Sequence, residues 1–171
     1  DALLQAKDND DHGVHRISLV TSGRSLSPET AAELARLYAK MAEATSMRFC
    51  ASTGLLDDET AASLHAAGVR RYHCNLEASK AFFPQVCTSH TWEEKVATLR
   101  LARSLGMSLC SGGIIGMGES MADRIDMAME LRDLEVKSIP INILTPISGT
   151  PLGGMTPLPA DEVLTTVALF R

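Results

Sequence analysis

Cys110-Ser111-Gly112-Gly113-Ile114-Ile115-Gly116-Met117-Gly118-Glu119 joins a thiol, an apolar stretch of strand character and a glycine-rich exit in one short run. Small and β-branched residues from Ser108 to Ile115 suit a buried strand. Gly116 and Gly118 let the backbone approach a flat or charged ligand before a helix opens near Ser120. That is the composition of a cofactor mouth. A tight strand-to-helix connection uses the same residues, so the weight lies in what else converges on the run.

A second cluster, Tyr72-His73-Cys74-Asn75-Leu76-Glu77, closes another apolar segment. Strand alternation sends His73, Asn75 and Glu77 to one face and Tyr72, Cys74 and Leu76 to the other. An amide and a carboxylate two residues apart can hydrogen-bond adjacent hydroxyls, as on a ribose, or can cap the following loop. A third candidate is Asn142, an amide inside the apolar segment Pro140-Ile141-Asn142-Ile143-Leu144. Buried there, it either bridges backbone groups or reads a polar ligand. Gly149-Thr150-Pro151-Leu152 reads as a lid or a plain connector. The four cysteines, at 50, 74, 87 and 110, show no CxxC pairing, which disfavours a zinc knuckle or a thioredoxin-type dithiol. His12, His15 and His65 have no spacing of a metal triad, and Met121, Met127 and Met129 fall at near-helical intervals that suit core packing.

These residues need strands and helices to hold them, and one pattern supplies both. Strand candidates are 15–21, 47–52, 70–76, 108–115 and 138–144, with helix candidates 28–44, 57–67, 91–105, 120–134 and 159–170 between and after them. Ser27-Pro28-Glu29 places an N-cap before a proline at the first helical position. Thr91-Trp92-Glu93-Glu94 has capping-box spacing, and Gly68 and Gly106 stand where helices should stop. Five successive strand–helix units imply parallel strands joined by right-handed crossovers. The fold class expected is α/β, either an open doubly wound sheet or part of a TIM-type (β/α) barrel. Ser18, Cys50, Asn75, Cys110 and Asn142, at matching places in the five strands, favour the partial barrel with a ligand-bearing lumen.

The 171 residues, 45% hydrophobic, are enough for one domain with a sizeable core. A net charge of −5 and an aromatic content of 4% argue against nucleic acid as partner. Apolar runs are strand-sized, far short of the roughly 20 residues of a membrane span, and no signal segment opens the chain. No membrane association and a cytoplasmic location are therefore expected.

The strings RYHCNLEAS, LGMSLCSGGIIGMGES and SIPINILTPISGTPL, in this order and at these intervals, resemble the biotin synthase family of radical S-adenosylmethionine (SAM) enzymes. The similarity runs from about His15 to Arg171. It implies a (β/α) barrel in which a SAM-derived deoxyadenosyl radical removes hydrogens from dethiobiotin and an auxiliary iron–sulfur cluster supplies sulfur. By residue match, Asn75 and Glu77 would hold the SAM ribose, and the run from Gly112 to Glu119, with Gly113, Ile114 and Gly116, would line its adenine and methionine side. His73, Asn75 and Asn142 would lie near dethiobiotin. An electron donor such as flavodoxin or ferredoxin would be a partner, and a homodimer is an assembly the resemblance allows.

Two departures from the family pattern matter. The Cys-x-x-x-Cys-x-x-Cys motif that holds the SAM-binding 4Fe–4S cluster does not occur in these residues. The chain is therefore expected to be the central part of a radical SAM barrel, with the cluster-motif region and the last strands outside it, and inactive alone. In the better-known form of the family the auxiliary 2Fe–2S cluster has three cysteines and an arginine. Cys50 and Cys110 match two of the cysteines, Ser18 stands at the third, and the arginine's strand lies beyond Arg171. Cys87 would then replace the lost thiolate, giving the ligand set Cys50, Cys87 and Cys110, with Cys74 as apolar filler. The alternatives are another radical SAM barrel with a different substrate, or a non-catalytic α/β binding module with free core thiols.

Overall fold

A computed structural model describes residues 2–171. In chain order the elements are α1 (Ala2–Asp11), β1 (Arg16–Val20), α2 (Pro28–Ala44), β2 (Arg48–Ser52), α3 (Asp58–Ala66), β3 (Val69–His73), α4 (Phe83–Val86), α5 (Trp92–Ser104), β4 (Ser108–Cys110), β5 (Gly113–Ile115), α6 (Met121–Asp133), β6 (Ile141–Ile143) and α7 (Ala160–Leu169). The chain divides into two compact units, Asp1–Cys74 with Ala97–Leu109, and Asn75–Val96 with Cys110–Arg171.

The first unit is built on a sheet in the order β1-β2-β3-β4. The pairs β1/β2 and β2/β3 are parallel, as consecutive strand–helix units require. Helix α2 begins where the sequence demands: the Ser27 hydroxyl accepts the Thr30 N–H at 3.2 Å, and Pro28 supplies the first helical position. Helix α3 is capped in the same way by Asp57. Tyr38, Met41, Ala51, Leu64, Val69 and Tyr72 are fully buried between helices and sheet. Burying a phenol without partners would be costly, and both tyrosines are satisfied. Tyr38 donates to the Cys50 carbonyl at 2.6 Å and receives the Leu19 N–H, while the Tyr72 hydroxyl bonds to Thr53 and to the Gly54 carbonyl.

The second unit carries a two-stranded parallel sheet of β5 and β6. Leu76, Phe83, Ile115, Met127 and Leu131 are its most deeply buried apolar residues. Ala78, Phe82 and Met117 form a satellite cluster against which Val86, Ile114, Leu144 and Leu152 pack. Helix α6 opens with a capping box: the Ser120 hydroxyl receives the Asp123 N–H, and the Asp123 carboxylate receives the Ser120 N–H at 2.9 Å. The box expected at the start of α5 is also present, with Thr91 N–H on Glu94 at 2.7 Å and Glu94 N–H on Thr91 at 3.2 Å.

The structure departs from the sequence expectation at several points. The segment 108–115 is two strands in different sheets, interrupted at Ser111 and Gly112, where it lies between 75–77 and 138–140 through Glu77 N–H to the Gly112 carbonyl, Ser111 N–H to the Ser138 carbonyl and Gly113 N–H to the Pro140 carbonyl. The five supposedly matching positions are not in one register: Ser18 faces Cys50, but Cys50 faces Arg71, Cys110 bridges Ser138, and Asn142 faces Ile114. An irregularity between Phe49 and Cys50 contributes to that shift. Helix α1 has no amphipathic signal in the sequence: its polar, acidic end shows no apolar stripe, and only Ala6 in it is buried.

Candidate functional site

Three segments of the second unit run side by side: 75–77, 112–114 and 140–142. The Glu77 N–H donates to the Gly112 carbonyl at 3.0 Å, and the Ile114 N–H donates to the Glu77 carbonyl at 3.0 Å. The Asn75 side-chain oxygen accepts the Gly112 N–H at 3.0 Å. On the other side, Ile114 lies opposite Asn142. Asn75, Glu77, Gly112, Gly113, Ile114 and Asn142 therefore meet in one patch.

The two adjacent glycines are there for room. A β-carbon on Gly112 would come within 1.9 Å of the Pro140 carbonyl oxygen, and one on Gly113 within 2.5 Å of the Glu77 carbonyl oxygen. No side chain fits between backbones this close. Glu77 itself holds a left-handed backbone, φ 68°, which a non-glycine residue adopts at a cost of about 1–3 kcal/mol. The two backbone hydrogen bonds to 112 and 114 keep it there.

Glycine-rich residues 116–118 continue from β5, and Glu119 organises them. Its carboxylate accepts the Gly116 N–H and the Met117 N–H, each at 2.7 Å, and the Arg124 side chain at 2.8 Å. Glu119 thus acts on the loop itself, with both oxygens engaged inside the protein. Alternation at the end of β3 is as expected: Tyr72, Cys74 and Leu76 are buried while His73, Asn75 and Glu77 are half-exposed. Asn142 differs from expectation. It is exposed rather than buried, because β6 has β5 as its strand partner and Ile143 beside it is also 49% exposed.

None of the four cysteines is in a disulfide. Cys50 is buried in β2 of the first unit, where His73 also lies at the end of β3; Cys87 and Cys110 belong to the second unit. Cys74 is buried, in keeping with a packing role. The Cys87 sulfur stands 3.6 Å from the Ser89 hydroxyl and 3.7 Å from either ring nitrogen of His90. Partial burial raises its pKa, but hydrogen bonds from Ser89 and His90 and the charge of Lys95 outweigh that and hold the thiol below its ordinary value. Among the described residues no three His, Cys, Asp or Glu side chains are gathered so as to hold a metal ion.

Two buried cations escaped the sequence reading. Lys95, 8% exposed, donates to the Asn75 carbonyl at 2.8 Å, and Arg124, 2% exposed, holds Glu119. In sequence each sits in a charged helix and reads as a solvated residue, so only packing reveals it. The Ser111 hydroxyl, fully buried between Cys110 and Gly112, has no protein partner. A polar atom left so is the kind a ligand or water satisfies.

The radical SAM superfamily model matches residues 1–131. The chain belongs to the radical SAM superfamily. It is 57% identical over 169 residues to a biotin synthase of Desulfotalea psychrophila, covering 99% of this chain and 50% of that protein. It is 52% identical over 163 residues to a biotin synthase of Clostridium botulinum, covering 95% of this chain and 51% of the other. The chain thus spans about half the length of these curated relatives. Among solved structures, methylornithine synthase (PylB) aligns over 99% of this chain and 52% of its own, with TM-score 0.83 and 17% identity. The hydrogenase maturase HydG from Carboxydothermus hydrogenoformans aligns over 99% of this chain and 42% of its own, with TM-score 0.80 and 16% identity. At such identities the likeness is one of fold. A radical SAM superfamily member binds SAM and iron–sulfur, and the patch offers suitable chemistry: a free Asn75 amide NH2, backbone groups brought close by paired glycines, and the unpartnered Ser111 hydroxyl.

Proposed function

We propose that the chain is the central part of a biotin synthase, an enzyme that inserts sulfur into dethiobiotin. The observation that carries this reading is 57% identity over 99% of the chain to a protein of that name. SAM, when bound to a 4Fe–4S cluster whose ligands lie outside these residues, supplies a radical that abstracts hydrogen from carbon.

The chain's own residues bind and orient. Asn75 presents its amide NH2 and Glu77 its carboxylate to the SAM ribose, while Gly112, Gly113, Ile114 and Gly116 line the adenine and methionine side. Glu119 keeps that lining in shape. His73, Asn75 and Asn142 would face dethiobiotin, because hydrogen abstraction needs substrate beside cofactor. Cys50, Cys87 and Cys110 are assigned to an auxiliary iron–sulfur cluster that provides sulfur. Cysteines outside any disulfide are the right donors; among the described residues they do not form a ready-made ligand group, and metal binding itself commonly completes such sites.

Flavodoxin or ferredoxin is the electron donor in this reading, and the enzyme works in the cytoplasm. No helix among the described residues is long and apolar enough to cross a membrane. The full-length gene should restore growth without biotin to a bacterium lacking its biotin synthase and supplied with dethiobiotin. Failure to restore growth with the protein expressed and cluster-loaded would overturn the reading.

A further inference from the structure

Arg124 lies in the first turn of α6, where a cation opposes the helix dipole, and it is 2% exposed. Neither the helix dipole nor solvation favours an arginine there. Its guanidinium is divided instead: Nε donates to Glu119 at 2.8 Å, and one terminal nitrogen donates to Glu162 at 2.8 Å and to the Thr166 hydroxyl at 3.1 Å, both on α7. Glu119, its side chain 4% exposed, passes the constraint on by accepting the N–H groups of Gly116 and Met117. Between them Gly116 and Gly118 hold φ of 92° and 107°, so this loop has wide freedom unless something fixes it. Buried ion pairs add little net stability compared with apolar packing, but removing one partner leaves the other charge buried and unpaired, which is strongly unfavourable.

We propose that Arg124 is a positioning residue that preorganises the loop 116–118 for SAM by holding Glu119, with α7 as the other anchor of its fork. This rests on the reading of residues 112–119 as the SAM lining. An unpinned loop must be ordered when ligand arrives, and that cost falls on affinity.

The test uses the full-length, cluster-loaded enzyme in the wild-type, Arg124→Met and Arg124→Lys forms, with Leu64→Ala as a core-cavity control in α3 of the first unit. Two quantities are read: hydrogen exchange at the Gly116 and Met117 amides without SAM, and the Kd for SAM by equilibrium dialysis. Arg124→Met should speed exchange at both amides and weaken SAM binding by about tenfold or more, the scale of one charge-assisted hydrogen bond. Arg124→Lys should recover part of both, and Leu64→Ala should change neither despite a comparable loss of Tm. Unchanged Kd in Arg124→Met, or an equal weakening in Leu64→Ala, would overturn the proposal while leaving the SAM lining intact. If SAM fails to slow exchange anywhere in 112–117 of the wild-type enzyme, the lining itself is misassigned and the proposal goes with it.

Discussion

The side-chain oxygen of Asn75 accepts the backbone N–H of Gly112 at 3.0 Å, tying the segment after β3 to the glycine-rich run. The bond fixes the amide's orientation, so that its NH2 is the end left for a ligand. Replacing Asn75 with Ala removes the acceptor and strands the Gly112 N–H. The full-length enzyme should lose about 1 kcal/mol of stability and bind SAM at least about tenfold more weakly. Asn75→Asp keeps an acceptor but has no NH2, so it should recover stability in denaturant titration without recovering affinity. Recovery of both would mean that the NH2 contributes nothing.

Glu77 combines a carboxylate with a left-handed backbone, and the two features can be separated. Glu77→Gly relieves roughly 1–3 kcal/mol of conformational cost while adding about 0.5–1 kcal/mol of unfolded-state entropy. Tm should therefore hold or rise slightly while SAM affinity falls. A variant that loses stability and affinity together would assign Glu77 a structural role only.

Cys87 is the least expected of the three assigned thiols. Its replacement by Ala in the full-length enzyme, reconstituted anaerobically, should lower the auxiliary iron and sulfide content while leaving the SAM-binding cluster loaded. Unchanged auxiliary content would remove Cys87 from the ligand set.

Acid should loosen α6 at its start. Hydrogen bonds from the Ser120 hydroxyl, then the Ser120 N–H, then the Ser79 hydroxyl hold the Asp123 carboxyl below its usual 3.8. A carboxyl lowered by folding stabilises the native state above its unfolded pKa, and that contribution disappears as pH falls below 3.8 through the folded value. Asp123→Asn should flatten this part of the stability curve between neutral pH and pH 3, measured by denaturant midpoints. An identical acid limb in the variant would show that the capping box contributes nothing to it.

Local rules dictate the helix starts and the order of the elements. Helix α2 has the bounds 28–44 that Ser27 and Pro28 announce, and the parallel α/β class follows from the repeated strand–helix order. What stayed hidden depends on contacts between distant residues. Small and apolar residues run through 108–115 without a break, so nothing local marks the interruption at Ser111 and Gly112, where the run lies between 75–77 and 138–140. Asn142 sits in an apolar string yet is exposed, and Lys95 and Arg124 sit among charges yet are buried. The grouping of Asn75, Glu77 and the CSGG segment was legible only as a resemblance. Geometry adds the reason for the paired glycines: the Pro140 and Glu77 carbonyls leave no room for a β-carbon.

The most direct measurement incubates the anaerobically reconstituted full-length enzyme with SAM, dethiobiotin and a reduced flavodoxin or ferredoxin, and follows biotin and 5′-deoxyadenosine by mass spectrometry. Biotin appearing together with 5′-deoxyadenosine, and absent without dethiobiotin, is the expected result. Formation of 5′-deoxyadenosine with dethiobiotin left intact would contradict the assignment and mark a radical SAM enzyme of another substrate.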